Sequence, residues 1–231
     1  MDEIDGNACY APVRIGEAAP DFIARSTEGM VRLSDYRGRW LVFFSHPGDF
    51  TPVCTSEFVA FARAFERFEA LGCSLLGHSV DSLFSHLAWI RALHDDLGVT
   101  VPFPIVEDPN LEIARAFGMV SAEAHNAASV RAAYFIDPAG IVRAMNWYPL
   151  AVGRSVDEML RIVTALQRTE DGQCLAPEGW QPGDPLLAPP GFSKQEALAA
   201  GKATEWFYRP VKDEPIKNKP AKDKPAKDKQ A

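Results

Sequence analysis

Apolar positions along this chain follow two alternating rhythms. The run "RWLVFFSH" (39–46) is short and rich in Val and Phe, which predicts a buried strand. Directly after it, over residues 55–71, Phe58, Phe61, Phe65 and Phe68 recur at steps of three and four, predicting an amphipathic helix closed by Gly72. The alternation continues. "CSLLGHSV" (73–80) predicts a second buried strand, "SLFSHLAWIRALHDDLG" (82–98) a helix stopped by Gly98, "FPIVED" a third strand, and residues 111–117 a short helix. "SVRAAYFID" and "IVRAMNWY", joined by "PAG", predict an antiparallel pair across a tight turn. Ser155 and Glu158 predict a capping box that opens a helix running to about residue 168. After an irregular start, this β-α-β-α-β order implies an α/β fold with a mostly parallel sheet covered by helices on both faces.

The rhythm stops at Gly172. "PEGWQPGDPLLAPPGF" is dense in Pro and Gly, a short helical stretch follows near 194–200, and "WFY" at 206–208 forms an aromatic cluster. This reads as an extended arm and not as a second full domain. The closing "KPAKDKPAKDKQA" repeats a Pro-Ala-Lys-Asp-Lys unit with nothing apolar larger than Ala, so it cannot offset its ordering entropy and is expected to be disordered. The expected organisation is a folded domain over 10–170, an arm over 171–210 and a tail over 211–231.

Composition narrows the partners. The 231 residues are 47% apolar, enough for one full core plus a smaller appendage. The net charge of -7, with terminal lysines interleaved by aspartates, gives no coherent basic patch and argues against nucleic acid. The acidic leader "MDEIDGNACYAP" lacks the apolar core of a secretory signal, and no apolar run approaches the ~20 residues that span a bilayer, so the expectation is a cytoplasmic protein without membrane contact. The four cysteines, Cys9, Cys54, Cys73 and Cys174, are scattered too widely for metal-type pairs or a disulfide scaffold. His78, His86, His94 and His125 show no metal-ligand spacing, so no metal or organic cofactor is expected.

One cysteine has a chemical setting. In "SHPGDFTPVCTSEF" (45–58), Cys54 follows a strand and sits at the mouth of a helix, where unpaired backbone N–H groups favour thiolate over thiol. Pro47 and Pro52 stiffen its loop. Thr51 stands where a disulfide oxidoreductase carries the first cysteine of a Cys-X-X-Cys pair, so the stretch reads TPVC and supplies a lone nucleophile. Cys73 begins a core-like strand, and Cys9 lies in the leader.

The same string resembles the active-site signature Pro-X-X-X-Thr-X-X-Cys of the peroxiredoxins, the alkyl hydroperoxide reductase/thiol-specific antioxidant family, through Pro47, Thr51 and Cys54. "FSHLAWI", "FPIVEDPN", "SVRAAYFIDPAGIVR", "YPLAVGRSVDEMLRIVTALQ" and "GWQPGD" follow the family's order, extending the resemblance over about 14–210. The wording "SHPGDFTPVC" and the long arm after "GWQPGD" are similar to the one-cysteine, peroxiredoxin 6-like branch. The resemblance implies a thioredoxin-like fold with a C-terminal extended arm. It implies reduction of hydrogen peroxide and organic hydroperoxides through a Cys54 sulfenic acid, protecting against oxidative stress, with a thiol reductant such as thioredoxin or glutathione. It also implies a homodimer or a ring of dimers.

On that resemblance Cys54 attacks the peroxide, Thr51 hydrogen-bonds sulfur and substrate, and Pro47 shields the nascent sulfenate. Arg131 in "SVR" favours the thiolate and orients the leaving oxygen. His46, Glu57 and Arg154 fall at supporting positions, Glu57 on the helix's first turn holding the arginine pair. Two other functions share the thiol: a thioredoxin-like oxidoreductase, which needs a second nearby cysteine that TPVC withholds, and a redox sensor, which turns over about one equivalent of peroxide. Cys174 in "DGQCLAPEGW" is the possible resolving thiol. It stands six residues before Trp180, two away from the two-cysteine pattern. On an extended arm that shift is worth roughly 6–7 Å, against a disulfide window of ~4.4–6.8 Å between Cα atoms, which favours an external thiol as resolver.

Overall fold

A computed structural model of the chain describes residues 12–120 and 130–213. Cys9, His125 and the Lys/Pro-rich tail lie outside the described residues. In chain order the elements are β1 (Ile23–Ser26), β2 (Gly29–Arg32), β3 (Trp40–Ser45), α1 (Pro52–Ala70), β4 (Cys73–Ser79), α2 (Leu83–Leu97), β5 (Ile105–Glu107), α3 (Glu112–Ala116), β6 (Arg131–Ile136), β7 (Val142–Tyr148), α4 (Val156–Thr169), β8 (Leu186–Leu187), α5 (Lys194–Ala199) and β9 (Pro210–Val211). Two compact units divide between Leu166 and Gln167.

In the first unit seven strands form one sheet in the order β2-β1-β5-β4-β3-β6-β7. Only β3–β4 and β4–β5 pair parallel, while β1–β2, β1–β5, β3–β6 and β6–β7 are antiparallel. The expected mostly parallel sheet is therefore corrected to a mixed one. The reason is that β6 returns beside β3 in the opposite sense, and residues 23–32 form a hairpin that adds β1 and β2 at the other edge. Alternation along β3 sorts the core: Trp40, Val42 and Phe44 face α1, α2 and α4, while Leu41 and Phe43 face α3, Phe117 and Tyr134. Phe44 stacks on Phe61 of α1, ring centroids 4.2 Å apart.

Local signals set the ends. Ser82 caps α2 through the Ser85 N–H, and Gly98 ends it at φ +63. The "PAG" turn is held by Asp137, which accepts the N–H groups of Ala139 and Ile141. Only half of the expected capping box forms on α4: the Glu158 N–H donates to Ser155 Oγ at 3.2 Å, but the Glu158 carboxylate turns outward to Arg161, where a charged donor outcompetes a backbone amide.

The second unit is held largely by its own backbone. β8 pairs with β9, Ser193 and Glu196 close a full capping box on α5, and buried Trp180 donates from Nε1 to the Asp184 carbonyl at 3.0 Å. Within the same unit Arg168 pairs with Asp213, and the Cys174 thiol donates to the Arg168 carbonyl at 3.0 Å.

At the carboxyl end of β4, His78 is sealed from solvent. Its Nε2 meets Asp108 Oδ2 at 3.2 Å, and Asp108 in turn accepts the N–H groups of Glu112 and Ala114 at the start of α3. The other ring nitrogen, Nδ1, has no partner. Burial holds the pKa of His78, like that of sealed His46, below the usual 6.5. Because the folded value lies below the unfolded one, the unfolded chain takes up protons first as pH falls. The stability is complete above about 6.5 and is lost below it. The thermal midpoint should therefore drop between pH 7 and pH 5, above the range where most carboxylates titrate. A midpoint that stays flat over that interval, by scanning fluorimetry, refutes the neutral buried histidines.

Candidate active site

α1 begins at Pro52, earlier than the periodicity predicts, so Cys54 lies inside the first helical turn and not at its edge. Thr51 is the N-cap in extended conformation (φ -99, ψ 147), and Pro52 at the first helical position needs no hydrogen bond for a missing N–H. The Cys54 side chain is wholly buried. An anion formed there must be compensated locally, because burying an unpaired charge is costly.

The compensation comes from β6 and the turn after β7. Arg131 Nη1 lies 3.3 Å from Cys54 Sγ and 3.0 Å from Glu57 Oε2. Its Nε and Nη2 both donate to the Leu150 carbonyl, at 2.9 and 2.8 Å, which leaves the guanidinium little freedom to swing away from the sulfur. Arg154 grips the same carboxylate from the other side: Nε to Oε1 at 2.9 Å, Nη2 to Oε2 at 2.8 Å, with its backbone N–H also on Oε1 at 2.7 Å. Arg154 Nη1 donates to the Ala132 carbonyl at 2.7 Å, and its guanidinium lies over the Phe44 ring. Burial opposes the Glu57 charge, but the bonds and charge of Arg154, then the charge of Arg131, outweigh it and hold the carboxyl below its usual range. Gly153 lets this turn approach α1, since a Cβ there would meet Val53 Cγ1 at 3.3 Å. Two guanidiniums against one carboxylate leave a single positive charge, which a Cys54 thiolate would cancel.

The loop between β3 and α1 carries Pro47 and Thr51, both half-buried. The Thr51 hydroxyl donates to the Gly48 carbonyl at 2.9 Å, so its proton is committed to the loop and its lone pairs are what it offers a ligand. His46 is sealed, its Nε2 2.8 Å from Asp49 Oδ1, and its ring packs against Phe58 and Trp89. Asp49 uses its second oxygen on His86 Nδ1, also 2.8 Å away, and its backbone N–H donates to Asp81 Oδ2 at 2.7 Å. Burial again works against the Asp49 charge, yet the His46 and His86 hydrogen bonds hold its carboxyl well below the usual range. Ligand atoms of His46, Asp49 and His86 lie within 4.8 Å of one another, the group among the described residues with a spacing that could hold a metal ion. Sequence spacing hid this group because His86 is paired with a residue 37 positions upstream. Its one local signal was Asp49, three residues after His46.

The remaining thiols are placed differently. Burial pushes Cys73 up to about 12, and its S–H points to the Ser74 carbonyl. Burial also raises Cys174, with Arg168 opposing and Asp171 and Asp213 adding to it.

A buried thiol pressed against a fixed guanidinium, with no second cysteine in its loop, is an arrangement that can stabilise a thiolate. A family model described as the AhpC/TSA family matches residues 15–145. Peroxiredoxin 2 of Caldanaerobacter subterraneus subsp. tengcongensis is 49% identical over 177 residues, which cover 77% of this chain and 80% of that protein. A peroxiredoxin of Thermoplasma volcanium is 46% identical, covering 77% and 87%. Among solved structures, a yeast mitochondrial 1-Cys peroxiredoxin superposes with a TM-score of 0.77 at 36% identity over 87% of this chain and 99% of that one. A cysteine-to-serine mutant of peroxiredoxin 6 of Arenicola marina gives 0.77 at 31% identity, covering 88% and 99%. The chain belongs to the AhpC/TSA family, the peroxiredoxins. It is a thiol-dependent peroxidase of thioredoxin-like fold that takes a peroxide and a thiol reductant. No helix among the described residues is long and apolar enough to cross a membrane.

Removing the carboxylate between the two arginines should be severe. Glu57→Ala leaves two buried guanidiniums uncompensated and is expected to cost about 3–5 kcal/mol of stability in denaturant unfolding. A loss below about 1 kcal/mol contradicts the charge balance described here.

Proposed function

We propose that Cys54 is the attacking sulfur and that Arg131, Thr51 and Pro47 form the peroxide site around it. The observation that carries this reading is the Arg131 guanidinium at 3.3 Å from Cys54 Sγ, immobilised by Glu57 and the Leu150 carbonyl. The thiolate attacks one peroxide oxygen, an S–O bond forms as O–O breaks, and the sulfur is oxidised by two electrons to a sulfenic acid. The departing alkoxide or hydroxide takes a proton and leaves as alcohol or water. Arg131 meets charge on the leaving oxygen, a donor already aimed before the reaction begins. Thr51, its own proton given to Gly48, accepts the peroxide O–H and aligns the O–O bond with the sulfur. Glu57 and Arg154 act on substrate only through Arg131, and His46 acts through the shape of the loop.

A reducing thiol then forms a mixed disulfide with Cys54 and releases water, and a second thiol returns Cys54 as thiol. We propose that these thiols come from outside the chain. Cys174 is kept protonated by burial and its S–H is committed to the Arg168 carbonyl, so it is a poor attacking thiolate. The solved yeast relative was studied for thiol resolution via glutathione/thioredoxin systems, and those are the reductants to test first. The proposed assembly is a homodimer or ring of dimers, with residues 10–170 as the peroxidase domain and 171–210 as its arm.

Cys54→Ser is expected to abolish peroxide consumption with the fold retained by circular dichroism. Wild-type turnover in that variant overturns the assignment. Cys174→Ser should keep glutathione- or thioredoxin-supported turnover. A Cys54–Cys174 crosslink formed after one equivalent of peroxide, lost in Cys174→Ser together with turnover, overturns the external-thiol reading.

A further inference from the structure

His86 is a buried polar group that the mechanism does not use. His86 sits in the first turn of α2, wholly sealed, and its Nδ1 lies 2.8 Å from Asp49 Oδ2. Its other nitrogen, Nε2, has no partner. A sealed bare lone pair costs less than a sealed unpaired N–H, and the carboxylate can only accept, so Nδ1 carries the proton and donates to Asp49.

Asp49 is the hub of the loop that precedes Cys54. One oxygen holds His46, the other holds His86, and its backbone N–H is held by Asp81. The next residue, Phe50, has φ +56, a left-handed conformation that a bulky side chain adopts only when its surroundings impose it. Thr51 follows directly. The loop's course is thus over-determined at Asp49, and the force that determines it comes from α2, outside the loop. A cation at this cluster would have to displace both histidine-to-carboxylate hydrogen bonds, which already satisfy the carboxylate, and both rings are closed to solvent.

We propose that His86 is a positioning residue of the peroxide site: by holding Asp49 it fixes the 46–51 loop that sets Pro47 and Thr51 beside Cys54. This rests on the assignment of Cys54 as the attacking sulfur. The hydrogen bond needs a donor where the imidazole Nδ1 stands. An Asn side-chain amide can supply one there, a Gln amide reaches toward the Nε2 position, and Phe keeps the ring without any donor.

The test compares two reactions of Cys54 in the full chain. Reaction with hydrogen peroxide needs Thr51 and Arg131 aligned around the O–O bond. Alkylation by iodoacetamide needs only an accessible thiolate. His86→Phe should lower the peroxide rate constant by about 10²-fold, the cost of misplacing a reacting group by ~1 Å, while alkylation changes far less. His86→Asn should recover most of the peroxide rate and His86→Gln should not. The proposal is overturned if His86→Phe reacts with peroxide like wild type, if both reactions fall together, or if Asn and Gln are equivalent. Should His86→Phe fail to fold, the Asn and Gln pair decides alone. Cys54→Ser run alongside separates the two readings: peroxide consumption persisting there overturns the Cys54 assignment and this inference with it, whereas an unchanged ratio of peroxide to alkylation rates in the His86 variants overturns only the role of His86.

Discussion

Two buried guanidiniums share one buried carboxylate, and the placement of the Cys54 sulfur follows from that sharing. Glu57 could not sit on the inner face of α1 without partners, because a lone ion in the interior forfeits its hydration. Arg131 at the start of β6 and Arg154 in the segment after β7 supply them, one from a strand and one from the connection into α4. Glu57 lies one helical turn after Cys54, so whatever holds the carboxylate also fixes the sulfur beneath Arg131. The hydrogen bonds of Arg131 and Arg154 to the Leu150 and Ala132 carbonyls extend the constraint to the backbone. Fold and chemistry are coupled at this point: β6 must lie antiparallel beside β3 for its first residue to reach the first turn of α1.

A second constraint acts on the loop that precedes α1. Here the groups are one aspartate, its carboxyl held well below the usual range, and two sealed imidazoles, one on each carboxylate oxygen. The arginine side is a rigid charged clamp that fixes where an anion can form. The histidine side is a hydrogen-bonded brace that fixes the path of the loop. With α1 held by the first and the 46–51 segment by the second, the N-terminal turn of α1 is constrained both in the helix and in the chain leading into it.

The alternating periods made β3, α1, β4, α2 and β7 legible nearly to their ends, because each carries an uninterrupted stripe or run of apolar residues. The β1–β2 hairpin was not legible: its four-residue strands are mostly exposed and carry no apolar run. Sheet order was misread for a different reason. Alternation of strand and helix suggests parallel neighbours, but whether β6 pairs with β3 or with an outer strand depends on contacts far apart in sequence. The site divides in the same way. Pro47, Thr51, Cys54 and Glu57 share one short string, and Arg131 stood out as a charge on an otherwise apolar strand. His86 carries no such sign, since a histidine at one position of an amphipathic helix looks like any core residue until the loop it contacts has been folded against it.

The geometry also says where the rate of such a site must originate. An ordinary thiol is only a few per cent ionised at pH 7, so complete conversion to thiolate gains about 30-fold. Lowering the thiol's basicity to reach that conversion also weakens it as a nucleophile, with a Brønsted slope of about 0.4–0.5, which returns part of the gain. Ionisation alone is therefore a small contribution. The larger one must arise where charge develops on the leaving oxygen and where the O–O bond is aligned, and both depend on groups that are already in place. Arg131 is held by three hydrogen bonds to two acceptors besides the sulfur's own contact, one to Glu57 and two to the Leu150 carbonyl, a degree of restraint that merely favouring an anion does not require. Restraint of that kind serves orientation. On the proposed assignment of Cys54, it is what separates a peroxide site from a buried cysteine that is simply ionised.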